Sequence, residues 1–262
     1  MTEVQLSDLL KQRFGNAPNV PEGLQNNPLL NAMAGRAACR RFTPDVPSAT
    51  VLQTLAAVAL AAPSKSDLQQ RDILIVEDPA RTDQLRNLLS AQEWIADVPC
   101  FVVFLADNRR QRQIQSWHHE GFPNDHLDAF FNASLDAGIA LNAFMTAAQA
   151  AGLGCCPIST IRNHMNAVRD LFDLPDHVFP VAGMAVGYPV DPARISPRLS
   201  LEATVHSDQY RNTSRADIEE YDNRRRAGRE ETPWSLAKAR MYAKAQRGDF
   251  GRFIRNIGFR TD

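Results

Sequence analysis

Three arginines within six residues form the most chemically suggestive cluster in the chain. Arg36, Arg40 and Arg41 lie in the segment GRAACRRF. A guanidinium group binds phosphate oxygens through two parallel hydrogen bonds, and Arg36 and Arg40, four residues apart, could share one face of a helix. An anion site and a solvated charged surface both remain open from this segment, since runs of charge usually lie at the surface.

Two loop segments carry weaker signals of a binding site. PSKSDLQQ, from Pro63, offers hydroxyl, amide and charged side chains just before a predicted strand, where ligands often bind. GLGCCPIST, from Gly152, matches neither GxGxxG nor a P-loop. A polar connection and a helix end followed by a turn are the simpler interpretations. Arg198, in the segment SPR, is unremarkable by itself.

Hydrolytic and metal-dependent chemistry find little support. The chain contains no GxSxG and no HExxH, and its four cysteines lack zinc-ligand spacing. Nothing places a base beside Cys155 or Cys156, so we interpret them as small buried side chains. We therefore predict no metal and no catalytic side-chain nucleophile, a pattern that suits redox chemistry on a bound cofactor. The cysteine usage favours a reducing cytoplasm.

Helices and short apolar strands alternate along the chain. Ser48 is a good cap for a helix that stops at Pro63, and Asp78–Pro79 begins another helix. The apolar run CFVVFLAD from Cys100 predicts a central strand covered on both faces. The alternation predicts an α/β or α+β sheet sandwich. Other predicted features are an irregular arm over 16–28, strands from Asp72 and Val178, a long helix over 126–151 and a short helix near 166–171.

Charge is nearly balanced overall but unevenly distributed. The 262 residues contain 29 Lys and Arg against 30 Asp and Glu, so the whole chain gives no reason to expect nucleic acid or an anionic membrane as a partner. Residues 211–262 hold 13 Lys and Arg against 8 Asp and Glu. There, WSLAKARMYAKA predicts an amphipathic helix, and FGRFIRNIGF is apolar enough to dock on the body or on a second subunit. Residues 129–151 are too polar to span a bilayer, and the N-terminus lacks the apolar stretch of a signal peptide.

Taken in order, these segments resemble the nitroreductase family of flavoenzymes. GRAACRRF and the following APSKSDLQ are similar to the family's Arg-x-Ser-x-Arg-x-Phe element and its Ala-Pro-Ser-x-x-Asn-x-Gln loop. The stretch from LDAGIALNAF to AVGYP resembles the central helix, Gly-Leu-Gly turn and final strand, and SPRLS resembles a late Lys-Pro-Arg-x-Pro segment. Glu220-Tyr221-Asp222 and Pro233-Trp234-Ser235 are similar to the branch of oxygen-insensitive NADPH nitroreductases and NADPH–FMN oxidoreductases.

The resemblance implies a fold and an assembly. The fold is α+β, a three-layer sandwich with a central, mostly antiparallel sheet flanked by helices and an extended C-terminal arm. The assembly is a homodimer with FMN at the subunit interface. We expect an FMN-binding domain over 1–210, including an N-terminal arm over 1–30, and an extension over 211–262 that docks on the partner subunit.

The resemblance also assigns site residues position by position. Arg36, Arg40 and Arg198 match arginines that bind the phosphate and ribityl end of FMN. The loop after Pro63, Gln92 and the segment after Cys156 match contacts to the flavin ring or its ribityl chain. The expected cofactor-binding residues are Arg36, Ala38, Arg40, Ser64, Lys65, Ser66, Asp67, Gln69, Gln92, Pro157, Ile158, Ser159, Thr160, Ser196 and Arg198, and Arg225, Arg226 and Arg229 are expected to attract NAD(P)H.

Four positions depart from the family pattern. Ala38 stands where Ser is usual and removes a hydroxyl donor, and Ser196 stands where the branch has Lys and removes a positive charge. Asp67 stands where Asn is usual, and Pro157 lacks a backbone N–H. We expect weaker FMN binding or a lower flavin potential, because a carboxylate near the ring disfavours the anionic reduced flavin.

The implied activity is ping-pong hydride transfer from NAD(P)H through flavin N5 to a small flat acceptor, such as a nitroaromatic, a quinone or free flavin. The same scaffold with different flavin chemistry (dehalogenation, ring reduction or flavin cleavage) and a non-catalytic flavin-binding protein remain alternatives. A nucleic-acid-binding tail around Arg224, Arg225 and Arg226 lacks interleaved aromatic residues. We expect a cytoplasmic protein with no nucleic-acid or membrane partner.

Overall fold

The structure, a computed structural model, describes residues 4–192 and 194–262. These residues form twelve α-helices and one four-stranded sheet. The strands are β1 (Arg71–Val76), β2 (Cys100–Asp107), β3 (Gly154–Ile158) and β4 (Val178–Gly187). The helices are α1 (Leu6–Phe14), α2 (Glu22–Gln25), α3 (Pro28–Gly35), α4 (Ala49–Leu60), α5 (Pro79–Leu88), α6 (Arg109–Trp117), α7 (Leu127–Ala150), α8 (Met165–Leu171), α9 (Leu201–Thr204), α10 (Arg215–Arg226), α11 (Trp234–Tyr242) and α12 (Phe250–Asn256).

Tertiary contacts divide the chain into two compact units. The first unit holds the chain up to Ala37 and a later segment that ends at Gln246. The second unit holds Ala38–Pro192 and Arg247–Asp262, and it contains the whole sheet. This division differs from the boundary expected at residue 210, because α12 packs within the second unit. The expected docking of the C-terminal extension on a partner subunit stays a prediction.

The sheet of the second unit has the strand order β1-β2-β4-β3, and every neighbouring pair is antiparallel. The interior strand β2 is buried along its whole length. This confirms the prediction, made from its unbroken apolar run, of a central strand covered on both faces. The antiparallel pairing also decides between the two predicted fold classes in favour of α+β.

Helices cover both faces of this sheet, and alternate side chains of β2 show how. Cys100, Val102 and Phe104 pack in one apolar cluster with residues of α4 and α7. Phe101 and Val103 pack in another cluster with residues of α5 and α8. Because successive side chains of a strand point to opposite faces, the two clusters are the two sides of a three-layer sandwich.

Local sequence signals set the ends of the flanking helices. The Ser48 hydroxyl accepts a hydrogen bond from the Val51 N–H at the start of α4 (3.4 Å). The Asp78 carboxylate caps α5 in the same way, with Pro79 at its first position. The chain leaves α7 through Gly152, whose φ of +79° suits glycine. These boundaries agree with the helices predicted from the sequence.

The C-terminal apolar segment docks on the second unit of its own chain. Phe253, Ile254, Ile257 and Phe259 are buried in one cluster with Phe179 and alanines of α7. Burial of this many apolar side chains is worth several kcal/mol, at roughly 1.5–3 kcal/mol each. The sequence predicted docking on the body or on a second subunit, and the structure shows the first.

The described part of the first unit contains helices and irregular connecting segments but no strand. Helix α1 packs against α3, whose first turn is capped by the Asn27 side chain. Helix α10 begins with a reciprocal capping box between Ser214 and Asp217, and it packs against α11. The α11 helix forms as predicted, although its apolar residues Leu236, Met241 and Tyr242 are exposed and line no buried face.

Two sequence expectations about the N-terminal region are wrong. Arg36 and Arg40 do not share a helical face, because α3 ends at Gly35 and the following residues are not helical. The arm predicted to be irregular over 16–28 contains α2. Among the described residues, no helix combines the length and apolar character needed to cross a bilayer.

Candidate functional site

Four arginines line one cavity of about 650 Å³ in the first unit. Arg36 directly follows α3, Arg198 lies in the segment before α9, and Arg13 and Arg225 belong to α1 and α10. None of the described residues that line this cavity is an aspartate or a glutamate. We call it the arginine cavity, and its other lining residues are Phe14, Met33, Leu199, Thr204, Tyr221 and Trp234.

The charges in the arginine cavity affect one another. Burial, followed by the positive charges of Arg198 and Arg36, lowers the pKa of Arg13 below its ordinary value. Like charges this close repel one another unless an anion offsets them. The cavity therefore has the electrostatics of a site for a doubly negative group such as a phosphate, which guanidinium forks bind well.

Two expected residues meet at the edge of this cavity. An Arg198 guanidinium nitrogen donates to the Ser196 hydroxyl (2.7 Å). Ser196 stands where the resemblance expects a lysine, so it contributes a hydroxyl that orients Arg198 and no charge of its own. A bound anion would be held by arginine side chains.

The three arginines expected to attract NAD(P)H occupy different surroundings. Arg225 lines the arginine cavity and donates to the Tyr221 hydroxyl (3.1 Å), which in turn donates to the Pro197 carbonyl (3.2 Å). Arg226 donates to the Asn223 side chain, and Arg229 forms an exposed salt bridge at 3.3 Å with Glu231. Neither Arg226 nor Arg229 is among the described residues that line the arginine cavity.

The expected ring-contacting loop lies in the second unit and has an unusual backbone. Ser66, Asp67 and Gln69 all adopt positive φ values, of 50°, 56° and 52°. Residues other than glycine rarely adopt positive φ values. Holding one residue in such a strained backbone conformation costs of order 1–3 kcal/mol, and strained residues cluster at functional sites. The Ser64 hydroxyl accepts from the Gln69 N–H (3.1 Å), and the Gln69 amide donates to Asp67 (3.2 Å).

Asp136, on helix α7, holds the two ends of this loop. Its side chain is fully buried, and its two carboxylate oxygens accept from the backbone N–H groups of Lys65 (2.9 Å) and Gln70 (3.1 Å). Leaving such N–H groups unsatisfied costs about 1–3 kcal/mol each. The loop thus keeps its strained backbone because a buried carboxylate fixes both of its ends.

Gln92 and Thr160, which come from distant parts of the sequence, are in contact. The Gln92 amide nitrogen donates to the Thr160 hydroxyl (2.8 Å), and its oxygen accepts from the Trp94 indole N–H (3.2 Å). Arg40 lies over the Trp94 ring, 5.8 Å from the ring centroid, and lines a separate cavity of about 510 Å³ in this unit. The structure therefore groups Gln92, Thr160 and Trp94, with Arg40 beside Trp94.

Pro157 and Ile158 belong to β3, an edge strand of the sheet. Proline is tolerated on an edge strand, so Pro157 keeps its register opposite Met184. Ile158 is buried, whereas Ser159 begins the 3₁₀ turn that follows β3. This segment therefore presents the exposed Pro157 and Ser159 and the half-buried Thr160 at the edge of the sheet.

The two expected ring-contacting segments flank opposite edges of the sheet. The loop over 64–69 precedes β1, at one edge, and Pro157–Thr160 belongs to or follows β3, at the other. Three strand spacings of about 4.8 Å separate β1 from β3, or roughly 14 Å. Within one chain these segments are set apart by the width of the sheet.

Sequence reasoning missed two of the residues described above. Asp136 carried a signal, since it stands among the buried Ala133, Ala137 and Ala140 on the apolar face of a predicted helix. An acid in that place requires buried partners. Arg13 carried no signal, because its hydrogen-bond partners lie 21 to 211 residues away along the chain.

Thiol and metal chemistry gain no support from the described residues. No group of three or more His, Cys, Asp or Glu side chains there is arranged to hold a metal ion. Burial raises the pKa of Cys100 to about 11, so its thiol stays protonated at neutral pH. All four cysteines are free thiols.

Comparison with known proteins identifies the family. Residues 33–188 match the model described as Nitroreductase family, and residues 196–262 match Nitroreductase family, C-terminal domain. The chain therefore belongs to the nitroreductase family. Helix α1 precedes both matched ranges.

Individual relatives agree with this membership. The Bacillus subtilis protein named FMN reductase NAD(P)H is 28% identical over 247 residues, which cover 90% of this chain and 99% of that protein. An oxygen-insensitive NADPH nitroreductase from Salmonella typhimurium is 31% identical over 75% of this chain and 80% of its own length. The solved structure of B. megaterium NfrA2 superposes with a TM-score of 0.84 at 30% identity, covering 90% of this chain and 99% of that one.

Proposed function

We propose that this protein is an FMN-dependent NAD(P)H oxidoreductase whose arginine cavity binds the phosphate of FMN. The observation that carries the proposal is the convergence of Arg13, Arg36, Arg198 and Arg225 on one cavity without an acidic lining residue in the described chain. Relatives named FMN reductase and NADPH nitroreductase support it. When bound, FMN supplies the redox chemistry that passes hydride from NAD(P)H to an acceptor.

The side chains that line the arginine cavity are of the chemical types that bind phosphate. Guanidinium groups of Arg36 and Arg198 present forked donors, and Ser196 keeps Arg198 oriented by accepting from it. The loss of the family's lysine at position 196 leaves enough positive charge in this cavity for a dianion. The family resemblance also assigns Arg40 to the phosphate or the ribityl chain, but Arg40 lines the separate cavity beside Trp94 and is not among the described residues that line the arginine cavity.

The second unit supplies the residues that would position the flavin ring. We assign this role to Ser64, Lys65, Ser66, Asp67 and Gln69 in the loop held by Asp136, and to Gln92 with the segment Pro157–Thr160. The strained loop presents its polar groups in a fixed arrangement. A site that orients a flavin ring needs such an arrangement. Ala38, which is exposed, lacks the hydroxyl that the family places there.

A homodimer accounts for the wide separation of the two ring-contacting segments, since a second subunit can bring one of them to the other. A row of exposed apolar side chains along α7 supports this assembly: Leu127, Phe131 and Leu135 are 50%, 58% and 47% exposed. Their spacing of four residues places them on one face of the helix. Such a stripe on a soluble surface marks an interaction site.

NAD(P)H is the electron donor in this proposal, and the acceptor is a small flat oxidised molecule. We assign to Arg225, Arg226 and Arg229 the attraction of the nucleotide by their positive charge, and for Arg225 this role is additional to its place in the lining of the arginine cavity. Arg224 bonds to backbone carbonyls at 2.7 and 3.1 Å, which argues against its use in nucleic-acid binding. The free thiols agree with a reducing, cytoplasmic location.

The proposal is tested by titrating flavin-free protein with FMN and with riboflavin, which lacks the phosphate. We expect wild type to bind FMN at least about tenfold more tightly, since charge-assisted hydrogen bonds to phosphate are strong. Arg198→Ala should remove most of that preference, and Arg215→Ala should keep it, because Arg215 is an exposed residue that pairs with Glu219 on the same helix. Equal affinity of wild type for the two flavins would refute the phosphate site.

A further inference from the structure

We propose that Arg13, on helix α1, is a positioning residue for phosphate recognition that holds the segments carrying Arg36 and Arg198 in place. This inference rests on the proposed function of the arginine cavity and adds a residue that precedes both ranges matched to the family. Arg13 is 8% exposed although it carries a guanidinium group. Its role follows from what that group and its own backbone carbonyl bind.

The Arg13 side chain joins two backbone segments. Its Nε and one terminal nitrogen donate to the Ala34 carbonyl (2.9 and 2.7 Å), and the same terminal nitrogen donates to the Arg36 carbonyl (2.5 Å). The other terminal nitrogen donates to the Ser196 carbonyl (3.2 Å). One planar fork thus ties the end of α3 to the segment that carries Arg198, two parts of the chain about 160 residues apart.

The Arg13 backbone completes the connection. Its carbonyl accepts from the Arg198 N–H (2.7 Å) and from an Arg224 guanidinium nitrogen (3.1 Å). Another Arg224 nitrogen donates to the Arg198 carbonyl (2.7 Å). The end of α1 is therefore bonded to the backbone at and just before Arg36 and Arg198 and to the Arg224 side chain of α10, the helix that also carries Arg225.

Gly15 makes this close packing possible. It ends α1 with a φ of +87°, and a Cβ atom there would lie 2.8 Å from Nε of Arg224. A side chain at this position would be strained by its backbone and would displace Arg224. A glycine directly after Arg13-Phe14 thus allows the end of α1 to pack closely against the Arg224 side chain.

Charge gives Arg13 a second effect on the same site. None of the salt bridges between described residues involves Arg13 or Arg198. Repulsion from Arg36 and Arg198, added to burial, lowers the pKa of Arg13. A phosphate in the cavity relieves that repulsion, whereas an uncharged ligand does not. The contribution of Arg13 should therefore appear for FMN and be absent for riboflavin.

The test compares FMN and riboflavin affinities of flavin-free Arg13→Gln, Arg13→Lys and wild type by quenching of flavin fluorescence. We expect Arg13→Gln to weaken FMN binding about tenfold or more, with riboflavin affinity changed less than about threefold. Arg13→Lys retains the charge and should recover part of the loss. Lys11→Gln, which removes an exposed cation from the same helix, should bind both flavins as wild type does.

Hydrogen exchange of wild type provides a second measurement that needs no variant to fold. FMN should slow exchange of the Arg198 amide, which is bonded to the Arg13 carbonyl, and riboflavin should not. Equal weakening of both flavins by Arg13→Gln, or an unchanged preference for FMN, would overturn the role of Arg13 alone. Wild type that does not distinguish the two flavins would overturn the proposed phosphate site as well.

Discussion

Asp67 stands in the expected ring-contacting loop at a position where the family usually has Asn. Asp67 lies in the strained loop with a φ of 56°. Its side chain is exposed and accepts a hydrogen bond from the Gln69 amide. A carboxylate at this position replaces the neutral amide of asparagine. Its negative charge beside the flavin ring would oppose the uptake of electrons, whereas an asparagine amide can donate a hydrogen bond to the reduced ring.

We therefore expect Asp67→Asn to raise the flavin midpoint potential by tens of millivolts, since about 30 mV corresponds to about 1.4 kcal/mol for a two-electron couple. Redox titration against a dye of known potential measures this shift. Asp173→Asn is a matched control, because Asp173 is also exposed and also has positive φ (51°). If both variants keep the wild-type potential, the charge of Asp67 does not tune the flavin.

Residues also show where sequence reasoning ends. Arg36, Arg198 and the loop over 64–69 were proposed as site residues because their order along the chain resembles a family. Asp136 and Arg13 were not, since each acts on backbone groups that only the folded chain brings near: Asp136 on residues 66 and 71 positions away, and Arg13 on a segment 183 positions away. The sequence neighbours of Arg13 carry no trace of its contacts, and the apolar neighbours of Asp136 indicate only that its carboxylate needs buried partners, not which ones.

Among the elements, local signals were sufficient to place several helices and the central strand. The caps at Ser48 and Asp78 fixed the starts of α4 and α5, and the apolar run of β2 predicted its central place. Helical periodicity failed for Arg36 and Arg40, because spacing alone does not show that α3 stops at Gly35. The strand order does not follow from local patterns, because it depends on pairing between distant segments.

Helix α12 is the element whose docking should depend on pH. The His177 backbone N–H donates to the Ile257 carbonyl (2.8 Å), and the His177 ring nitrogen Nε2 lies 3.0 Å from the Gly258 carbonyl. Burial, followed by the positive charge of Arg112, lowers the pKa of His177 below its ordinary value, against smaller opposing effects of the Gly258 carbonyl and nearby carboxylates. The folded protein thus binds fewer protons here than the unfolded chain does.

Because folding lowers the pKa of His177, the docking of α12 should be fully stable above about pH 6.5, the unperturbed pKa of histidine. The docking should lose stability as the pH falls through the lower pKa of His177 in the folded protein. The hydrogen-exchange protection of residues 250–262, measured relative to the intrinsic exchange rate at each pH, should therefore fall between about pH 7 and pH 5 more than the protection of β2 does. His177→Gln, which cannot gain the proton, should flatten that dependence. The same pH dependence in His177→Gln would assign it to another group.

For the molecule as a whole, the proposed flavin site requires two subunits. The apolar stripe of Leu127, Phe131 and Leu135 on α7 is the surface that we assign to their interface. Phe131→Glu places a charge in that interface, where burying an unpaired charge costs several kcal/mol. We expect light scattering after gel filtration to show a dimer for wild type and a larger monomer fraction, with weaker FMN binding, for the variant.

Trp117→Glu provides the control for this experiment. Trp117 is 69% exposed at the end of α6 and is not part of the stripe on α7, so we expect its replacement to leave the assembly unchanged. A Phe131→Glu protein that stays dimeric and keeps its FMN would show that the interface lies elsewhere on the molecule.

The proposed function requires that electrons pass from a reduced nicotinamide through bound FMN to a flat acceptor. Anaerobic addition of NADPH, or of NADH, to the FMN-loaded protein observes this transfer directly. We expect the yellow absorbance of the flavin to bleach with one equivalent of the donor and to return when a nitroaromatic or a quinone is added. A flavin that stays oxidised in excess NADPH and NADH would contradict the proposed function.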